Sequence, residues 1–151
     1  MEWLNVKLLP GERILLDRRV GSEAGLFAVV ARAVAGPAGR LDAPVRERLA
    51  RRHARRSVAL GGGFALPHAA VPGLTTTCAV YVRSSTPIPM SAPDGCGVTD
   101  ALALLVPLPG LAADYDRLMG LTSLLGRPAT RVALLQARTA REVQAILMGT
   151  S

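Results

Sequence analysis

Two segments of the chain are apolar along nearly their whole length, and they constrain the fold more than any other feature. Residues 76–82 read Thr-Thr-Cys-Ala-Val-Tyr-Val, and residues 101–106 read Ala-Leu-Ala-Leu-Leu-Val. Runs of β-branched and apolar residues of this length favour strands, and a strand without polar alternation is buried on both faces. The chain is therefore predicted to form an α/β fold in which helices cover both faces of a sheet.

The composition predicts a single domain over residues 1–151. Half of the residues are hydrophobic (50%) and only 3% are aromatic. A chain of this length can bury about two-thirds of its unfolded surface in one core. We therefore expect a core of Leu, Val and Ala, and no cofactor held by aromatic stacking.

Helix start and stop signals divide the rest of the chain, after a short strand or turn at residues 12–20. Ser22 is a candidate N-cap, and Thr139 with Glu142 forms a candidate capping box. The predicted helices are residues 22–34, ended by Gly36-Pro37; residues 42–55, with Asp42 or Ala43 near the cap and Pro44 in the first turn; residues 111–125, ended by Gly126 and Pro128; a short element at 130–136; and a last helix after Thr139 with Val143, Ile146 and Leu147 inward.

The formal charge of +7 is carried almost entirely by arginine, with one dense run at residues 46–56. Such a charge suits nucleic acid or an acidic partner. Outside the run the arginines are scattered, which favours an ordinary solvated surface. Nucleic-acid binding is therefore kept as an alternative and is not expected.

The cysteines and the apolar runs exclude several protein classes. Cys78 and Cys96 have no metal-ligand spacing, and the first residues do not resemble a secretion signal. The longest apolar stretch, residues 101–109, is far shorter than the roughly 20 residues that span a bilayer. We expect a cytoplasmic protein with free thiols, no metal site and no membrane insertion.

The chain has two histidines, and they lie in different settings. His53 is inside the arginine run and is predicted to lie on a solvated basic helix face. His68 follows three consecutive glycines and Pro67, and residues 64–68 are predicted to be an irregular loop that presents its ring. A purely structural hydrogen-bonding role is an equal alternative on these grounds alone.

Known glycine-rich motifs do not explain this loop. Residues 61–63 are not followed by the Lys and Ser/Thr of a phosphate-binding P-loop, and their spacing differs from the dinucleotide fingerprint. The chain also lacks a serine hydrolase elbow. A cysteine nucleophile with His68 as its base stays open, although neither cysteine sits in a recognisable helix-start setting.

Residues 57–68, Ser-Val-Ala-Leu-Gly-Gly-Gly-Phe-Ala-Leu-Pro-His, carry a specific resemblance. They resemble the signature Ser-Thr-Gly-Ile-Gly-x-Gly-x-Ala-x-Pro-His around the phosphorylated histidine of enzyme IIA domains of the fructose, mannitol and nitrogen-regulatory type. These domains belong to the bacterial sugar phosphotransferase system. Three further segments are similar to the family, so that the resemblance covers residues 12–148. Residues 14–17 look like the family's opening, residues 86–88 like its segment after the central strand, and residues 104–107 like the strand end before its next helix.

The resemblance implies a mixed β-sheet flanked by helices and a phosphoryl carrier that requires no cofactor. His68 would accept the phosphoryl group from the carrier protein HPr or its nitrogen-branch relative. Arg52, sixteen residues earlier, matches a family arginine that would stabilise the phosphoryl charge. Ser57 matches a family hydroxyl that can hydrogen-bond the phosphoryl group or the imidazole, and a helix-end cap is an equal alternative.

The chain departs from the family where a second histidine is expected, seven residues after Pro107, because Asp114 stands there. An ionised aspartate accepts hydrogen bonds and repels a phosphoryl dianion. Three outcomes follow from the sequence. Asp114 turns to solvent, or it orients His68 by accepting from the other ring nitrogen, or efficient phosphotransfer has been lost.

Two functional hypotheses remain from the sequence. The first is a nitrogen-regulatory carrier that controls a target protein by phosphorylation-dependent binding. It is favoured because no IIB-like or membrane segment is fused to the chain, whereas a carrier of a sugar branch would need a separate IIB component. Phosphorylation would add nearly two negative charges beside Arg52 and change the local sign of the docking face. The second is a non-catalytic binding protein that keeps the fold and has lost phosphotransfer through Asp114. The oligomeric state and the target are not predicted.

Overall fold

A computed structural model of the chain describes residues 3–35 and 38–149. One strand and two helices come first, five strands follow in succession, and three helices end the described chain. The strands are β1 (Ile14–Arg18), β2 (Ala59–Gly61), β3 (Phe64–Ala65), β4 (His68–Val71), β5 (Cys78–Ile88) and β6 (Val98–Pro107). The helices are α1 (Glu23–Ala35), α2 (Asp42–Arg55), α3 (Ala112–Gly126), α4 (Pro128–Gln136) and α5 (Ala140–Leu147).

The six strands form one mixed sheet in the order β1-β5-β6-β3-β2, with β4 also paired to β6. Strands β5 and β6 are antiparallel, while β1 runs parallel to β5, and β3 and β4 run parallel to β6. Strand β3 pairs with β6 around Asp100, and β4 pairs with the same strand from Leu104 onward. The predicted mixed sheet is confirmed.

The two faces of the sheet bury separate hydrophobic clusters. Alternate residues of β5 and β6 contribute to opposite clusters, as Val80 and Tyr81 do. Helices α1 and α2 cover the first cluster, and α3, α4 and α5 cover the second together with the segment before β1. The continuous apolar sequence of both strands thus has the predicted cause, since both of their faces are buried.

Both central strands are longer than predicted. Strand β5 begins two residues after the predicted start and runs to Ile88, and β6 extends beyond both predicted ends. Residues 86–88, which the resemblance placed after the central strand, are the last residues of β5. The polar end of β5 and the polar start of β6 were not predicted as strand, because Ser84 and Asp100 break the apolar pattern. Both residues nevertheless pair with neighbouring strands of the sheet.

The predicted caps of the first and last helices are confirmed, while α2 begins after Leu41 without a side-chain cap. The Ser22 hydroxyl accepts from the amide of Gly25 (3.0 Å), and the Thr139 hydroxyl accepts from the amide of Glu142 (3.1 Å). Helix α3 ends at Gly126, and Pro128 opens α4 at its first turn. The predicted stop at Gly36-Pro37 lies outside the described residues.

The prediction that residues 64–68 are irregular is wrong, because β3 and the first residue of β4 fall within them. Only Leu66 and Pro67 interrupt what is otherwise one extended path along β6. Proline has no N–H to donate to a sheet, so the interruption falls where the pairing would need one. Pro67 still accepts through its carbonyl from the amide of Leu104 (2.9 Å).

No helix in the described part of the chain is both long enough and apolar enough to cross a membrane.

Candidate functional site

His68 is the first residue of β4 and pairs with Leu104 of β6. The break at Pro67 separates β3 from β4 and leaves the carbonyl of Leu66 pointing at the imidazole. The Nδ1 atom of His68 lies 2.8 Å from this carbonyl oxygen. A carbonyl can only accept, so Nδ1 carries the proton and donates to Leu66.

The second ring nitrogen of His68 faces Arg52. The guanidinium Nε–H of Arg52 donates to Nε2 at 3.1 Å, so Nε2 holds a lone pair. The ring is therefore the neutral Nδ1–H tautomer, with its nucleophilic atom at Nε2. Burial lowers the pKa of His68 below its ordinary 6.5, and the charge of Arg52 lowers it further, while the hydrogen bond to Leu66 opposes both.

Arg52 reaches His68 from the last turn of α2. Its Nη1 donates to the carbonyl of Arg56 (2.7 Å), which lies just past the end of the helix and steadies the guanidinium. The structure thus brings together the two residues that the sequence placed sixteen positions apart.

Ser57 lines a cleft beside His68, and its hydroxyl forms hydrogen bonds with backbone groups and not with His68. It donates to the carbonyl of Met90 (2.6 Å) and accepts from the amide of Ala59 (3.1 Å). These bonds tie the segment after α2 to the loop after β5. Ser57 therefore fixes the approach to β2 in this state of the protein, and its proton is not directed at His68.

Asp114 lies in the first turn of α3, and its side chain is only 12% exposed. Its carboxylate accepts from the amide of Leu111 (3.1 Å) and from the hydroxyl of Thr77 (3.0 Å), and Arg117 lies 3.5 Å away. The side chain thus stabilises the start of α3 and joins it to the segment before β5. It neither turns to solvent nor accepts from His68, whose Nδ1 proton is bound by Leu66.

A cleft of about 660 Å³ opens beside Nε2 of His68. Arg52 and Arg56 line one side of it, and the opposite side is formed by α3. The α3 residues in its wall are Tyr115, Leu118, Met119 and Thr122. A smaller cavity of about 270 Å³ adjoins His68 on its other side and includes Leu111, Asp114 and Tyr115. A larger cavity, about 1000 Å³, lies away from His68 beside Trp3 and α5.

The prediction for His53 is wrong, because its side chain is only 9% exposed. Its Nε2 lies 2.8 Å from a carboxylate oxygen of Glu23, its Nδ1 accepts from the amide of Val58 (3.2 Å), and its ring meets Phe27 edge-on. The signal that could have revealed this is helical spacing, since His53 follows the buried Val45 and Leu49 at intervals of four. It joins α1, α2 and the start of the signature segment.

The three glycines hold the hairpin between β2 and β3 and do not bind His68. All three have positive φ, and a Cβ at Gly62 would collide with the guanidinium of Arg131. The amide of Gly62 donates to Asp94 (2.8 Å), and this bond is the largest cause of the lowered pKa of that carboxyl. Sequence reasoning missed Asp94 and Arg131, because both partners come from distant parts of the chain.

Known proteins resemble this chain over nearly its whole length. Residues 7–149 match the family described as phosphoenolpyruvate-dependent sugar phosphotransferase system, EIIA 2. The chain belongs to this EIIA type 2 family. Domains of the family interact with HPr-like donors and with IIB partners.

Among the relatives of this EIIA domain are nitrogen regulatory proteins. It is 28% identical over 142 residues to a nitrogen regulatory protein of Pseudomonas aeruginosa, covering 93% of this chain and 92% of that protein. The crystal structure of nitrogen regulatory protein IIA-Ntr from Neisseria meningitidis superposes with a TM-score of 0.86 at 32% identity, covering 93% of this chain and 97% of that one. Within the family, the chain therefore resembles the nitrogen regulatory (IIA-Ntr) proteins.

The fold is shared more widely. The mannitol IIA of Escherichia coli superposes with a TM-score of 0.72 at 16% identity, covering 92% of this chain and 98% of that one. A likeness at this identity establishes the common fold alone.

Proposed function

We propose that this EIIA domain is a phosphoryl carrier in which Nε2 of His68 accepts the phosphoryl group of phosphorylated HPr or its nitrogen-branch relative. The observation that carries the proposal is the pair of ring contacts. Leu66 holds the proton on Nδ1, and a neutral Nε2 faces an open cleft beside a guanidinium. A nucleophile, its protonation state and a charge stabiliser are therefore assembled at one place.

The transfer balances without any further reactant. The Nε2 lone pair attacks the phosphorus of the donor phosphohistidine, and the P–N bond of the donor breaks with its electron pair returning to the donor ring. The proton stays on Nδ1 of His68, and its hydrogen bond to the carbonyl of Leu66 stabilises the positive charge that develops on the imidazole. The Nε–H of Arg52, released from Nε2, turns to the phosphoryl oxygens.

The contacts of Asp114 support retained phosphotransfer. Its carboxylate is held by an amide, a hydroxyl and the nearby Arg117, all on the side of α3 and Thr77. These donors offset its charge. Arg52 then supplies the positive charge for the phosphoryl group beside Nε2.

We further propose a nitrogen-regulatory role, in which the phosphorylation state of His68 controls binding to a target protein. The likeness to nitrogen regulatory proteins of two organisms supports this over a role in sugar uptake. Phosphorylation adds nearly two negative charges within reach of Arg52 and so changes the charge that a partner meets.

Incubation of the purified chain with phosphoenolpyruvate, enzyme I and each HPr-type carrier of its own cell tests the proposal. We expect acid-labile labelling that maps to His68 and is lost in His68→Ala. Mapping to the peptide that contains His53 instead, or no labelling with any cognate carrier, would contradict it. If labelling is absent in the native chain and appears in Asp114→His, the chain is a binding protein that has lost transfer.

A further inference from the structure

His53 is a buried histidine that the proposed transfer does not use, and it directly follows Arg52 in the last turn of α2. Its two ring nitrogens have different partners. Nδ1 accepts from the amide of Val58 (3.2 Å), so this nitrogen carries no proton. Nε2 lies 2.8 Å from the carboxylate of Glu23. The ring proton is therefore on Nε2, which donates to Glu23.

The segment that His53 holds lies beside the backbone that contacts His68. The carbonyl of Val58 accepts from the amide of Leu66 (2.9 Å), next to the antiparallel pairing of β2 and β3. The carbonyl of Leu66 in turn accepts from Nδ1 of His68 (2.8 Å). Three hydrogen bonds thus lead in series from Nδ1 of His53 to Nδ1 of His68. Because Val58 and Leu66 are buried, an amide that lost its partner on this path would stay unsatisfied.

We propose that His53 is a positioning residue for His68. It holds the amide of Val58 and thereby fixes Leu66, whose carbonyl keeps the Nδ1 proton of His68 in place. The last turn of α2 then acts on both nitrogens of the reactive ring, on Nε2 directly through Arg52 and on Nδ1 indirectly through His53. This role deepens the proposed function and rests on it only for the rate of transfer, because the tautomer of His68 exists without a donor.

Helix α1 holds the ring of His53 in the orientation that this role requires. Glu23 takes the Nε2 proton and so leaves Nδ1 as the acceptor for Val58. Phe27 meets the ring edge-on, with centroids 5.9 Å apart. The carboxylate of Glu23 is half-exposed, so its pairing with the ring contributes less than the bond to Val58.

A purely structural role for His53 is the main alternative. The ring would then serve only to pack α2 against α1. Packing uses the shape of the ring, which phenylalanine reproduces, whereas positioning requires an acceptor at the place of Nδ1. The two roles therefore predict different outcomes for different substitutions at this one residue.

Three substitutions separate the roles. His53→Asn places an oxygen at the same distance along the side chain as Nδ1 and keeps the bond to Val58. His53→Gln reaches the carboxylate of Glu23 but has no acceptor at the place of Nδ1, and His53→Phe keeps the ring shape alone. NMR of the imidazole nitrogens of His68 in the unphosphorylated chain should show the Nδ1–H tautomer in the native chain and in His53→Asn. In the other two variants a measurable fraction of the Nε2–H tautomer should appear.

The rate of phosphoryl transfer from a phosphorylated HPr-type carrier should follow the tautomer. His53→Gln and His53→Phe should slow the transfer about tenfold, and His53→Asn less than about threefold. Thr139→Ala is the matched control, because it also removes an acceptor from a backbone amide, at the start of α5. It should leave the tautomer and the rate unchanged, at a temperature at which circular dichroism shows every variant to be folded.

Two results at position 53 would overturn the inference. They are an unchanged His68 tautomer in His53→Gln and His53→Phe, and a shift in His53→Asn as large as that in His53→Gln. A similar shift in Thr139→Ala would also overturn it, since loss of stability would then be the cause. If His53→Phe does not fold, the comparison of His53→Asn with His53→Gln decides alone.

Failure of the proposed function gives a different result. The tautomer of His68 would then shift as described in the unphosphorylated variants, while neither they nor the native chain would be phosphorylated by any cognate carrier. That outcome refutes the carrier role and supports the positioning of His68 by His53.

Discussion

The two ring nitrogens of His68 have different hydrogen-bonding roles. Nδ1 donates to a carbonyl, and Nε2 accepts from Arg52. Pro67 bonds to β6 through its own carbonyl, and the carbonyl of Leu66 accepts the hydrogen bond of the Nδ1–H group. Burial of the ring then favours the neutral form. In the proposed reaction the nucleophile is thus prepared before any donor arrives, so no deprotonation step is needed.

The lowered pKa of His68 predicts the pH dependence of phosphotransfer. The rate should fall at low pH, where the ring becomes protonated, and the midpoint of this fall should lie below the ordinary value of 6.5. The same shift favours the folded state above 6.5, and this contribution is lost as the pH falls through the folded-state pKa. NMR titration of the imidazole nitrogens measures the pKa and the tautomer directly.

Arg52→Gln supplies the control for this titration. It removes a positive charge that lowers the pKa, so the pKa of His68 should rise toward 6.5 while Nδ1 remains protonated. An Nε2–H tautomer in the native chain, or a pKa above 6.5, would show that the ring is not arranged as described.

Gly62 has two independent reasons to be glycine, and substitution can separate them. Gly62→Ala should destabilise the chain by roughly 2–3 kcal/mol, because alanine is strained at positive φ and its Cβ displaces Arg131 from the carbonyl of Leu125. Gly39→Ala has a similar φ and no atom within 4 Å of the added Cβ, so it should cost only about 1–2 kcal/mol. Urea unfolding of both variants gives the comparison, and equal costs would refute the role of Arg131.

At the residue scale, sequence succeeded where a motif was local and failed where contacts were distant. The pair of Arg52 and His68 could be predicted because the resemblance supplied its spacing. The burial of His53 was missed because the surrounding arginines hid its place on the apolar face of α2. The bonds of Asp114 to Thr77 could not be foreseen, since 37 positions separate the two residues.

At the scale of elements, the helices were predicted well because their signals are local. Caps, glycines and prolines act within a few residues of the helix end that they define. Strand ends depend on partners elsewhere in the sheet. This is why α3 and α5 were placed accurately and β5 was drawn too short at its far end.

The cap of α5 provides a test of this local reasoning. Thr139→Ala removes the hydroxyl that accepts from the amide of Glu142 and should destabilise the chain by about 1 kcal/mol. Thr139→Ser keeps the hydroxyl and should lose much less. Thermal unfolding of the two variants measures the difference, and similar values would mean that packing alone starts this helix.

At the scale of the whole molecule, a buried polar cluster ties the sheet to the helices of the second face. Asp100 is fully buried and accepts from the hydroxyl of Tyr81 (2.5 Å) and from Nε of Arg83 (3.0 Å). Burial and the adjacent carboxylate raise the pKa of Tyr81, so the phenol keeps its proton. Arg83 also donates to the carbonyls of Leu134 and Ala137 at the end of α4.

Removal of Arg83 should therefore affect stability far more than removal of a surface arginine. Arg83→Met leaves the carboxylate of Asp100 without its cation and should cost about 3–5 kcal/mol. Arg141→Met, on the exposed side of α5, should change the free energy of unfolding by no more than about 0.5 kcal/mol. Chemical denaturation distinguishes the two, and a small loss at Arg83 would show that the helices are held by apolar packing alone.

The order of the strands also governs how the protein behaves at high concentration. The two longest strands are enclosed at the middle of the sheet, while the strands with a free edge, β1, β2 and β4, have five, three and four residues. Strand β1 shifts register near its charged end, and β2 runs into the glycine turn. Because these edge strands are short and irregular, they offer few free backbone groups with which a strand of another molecule could pair. The arrangement that centres β6 beneath His68 thus also protects the folded protein against growth into fibrils.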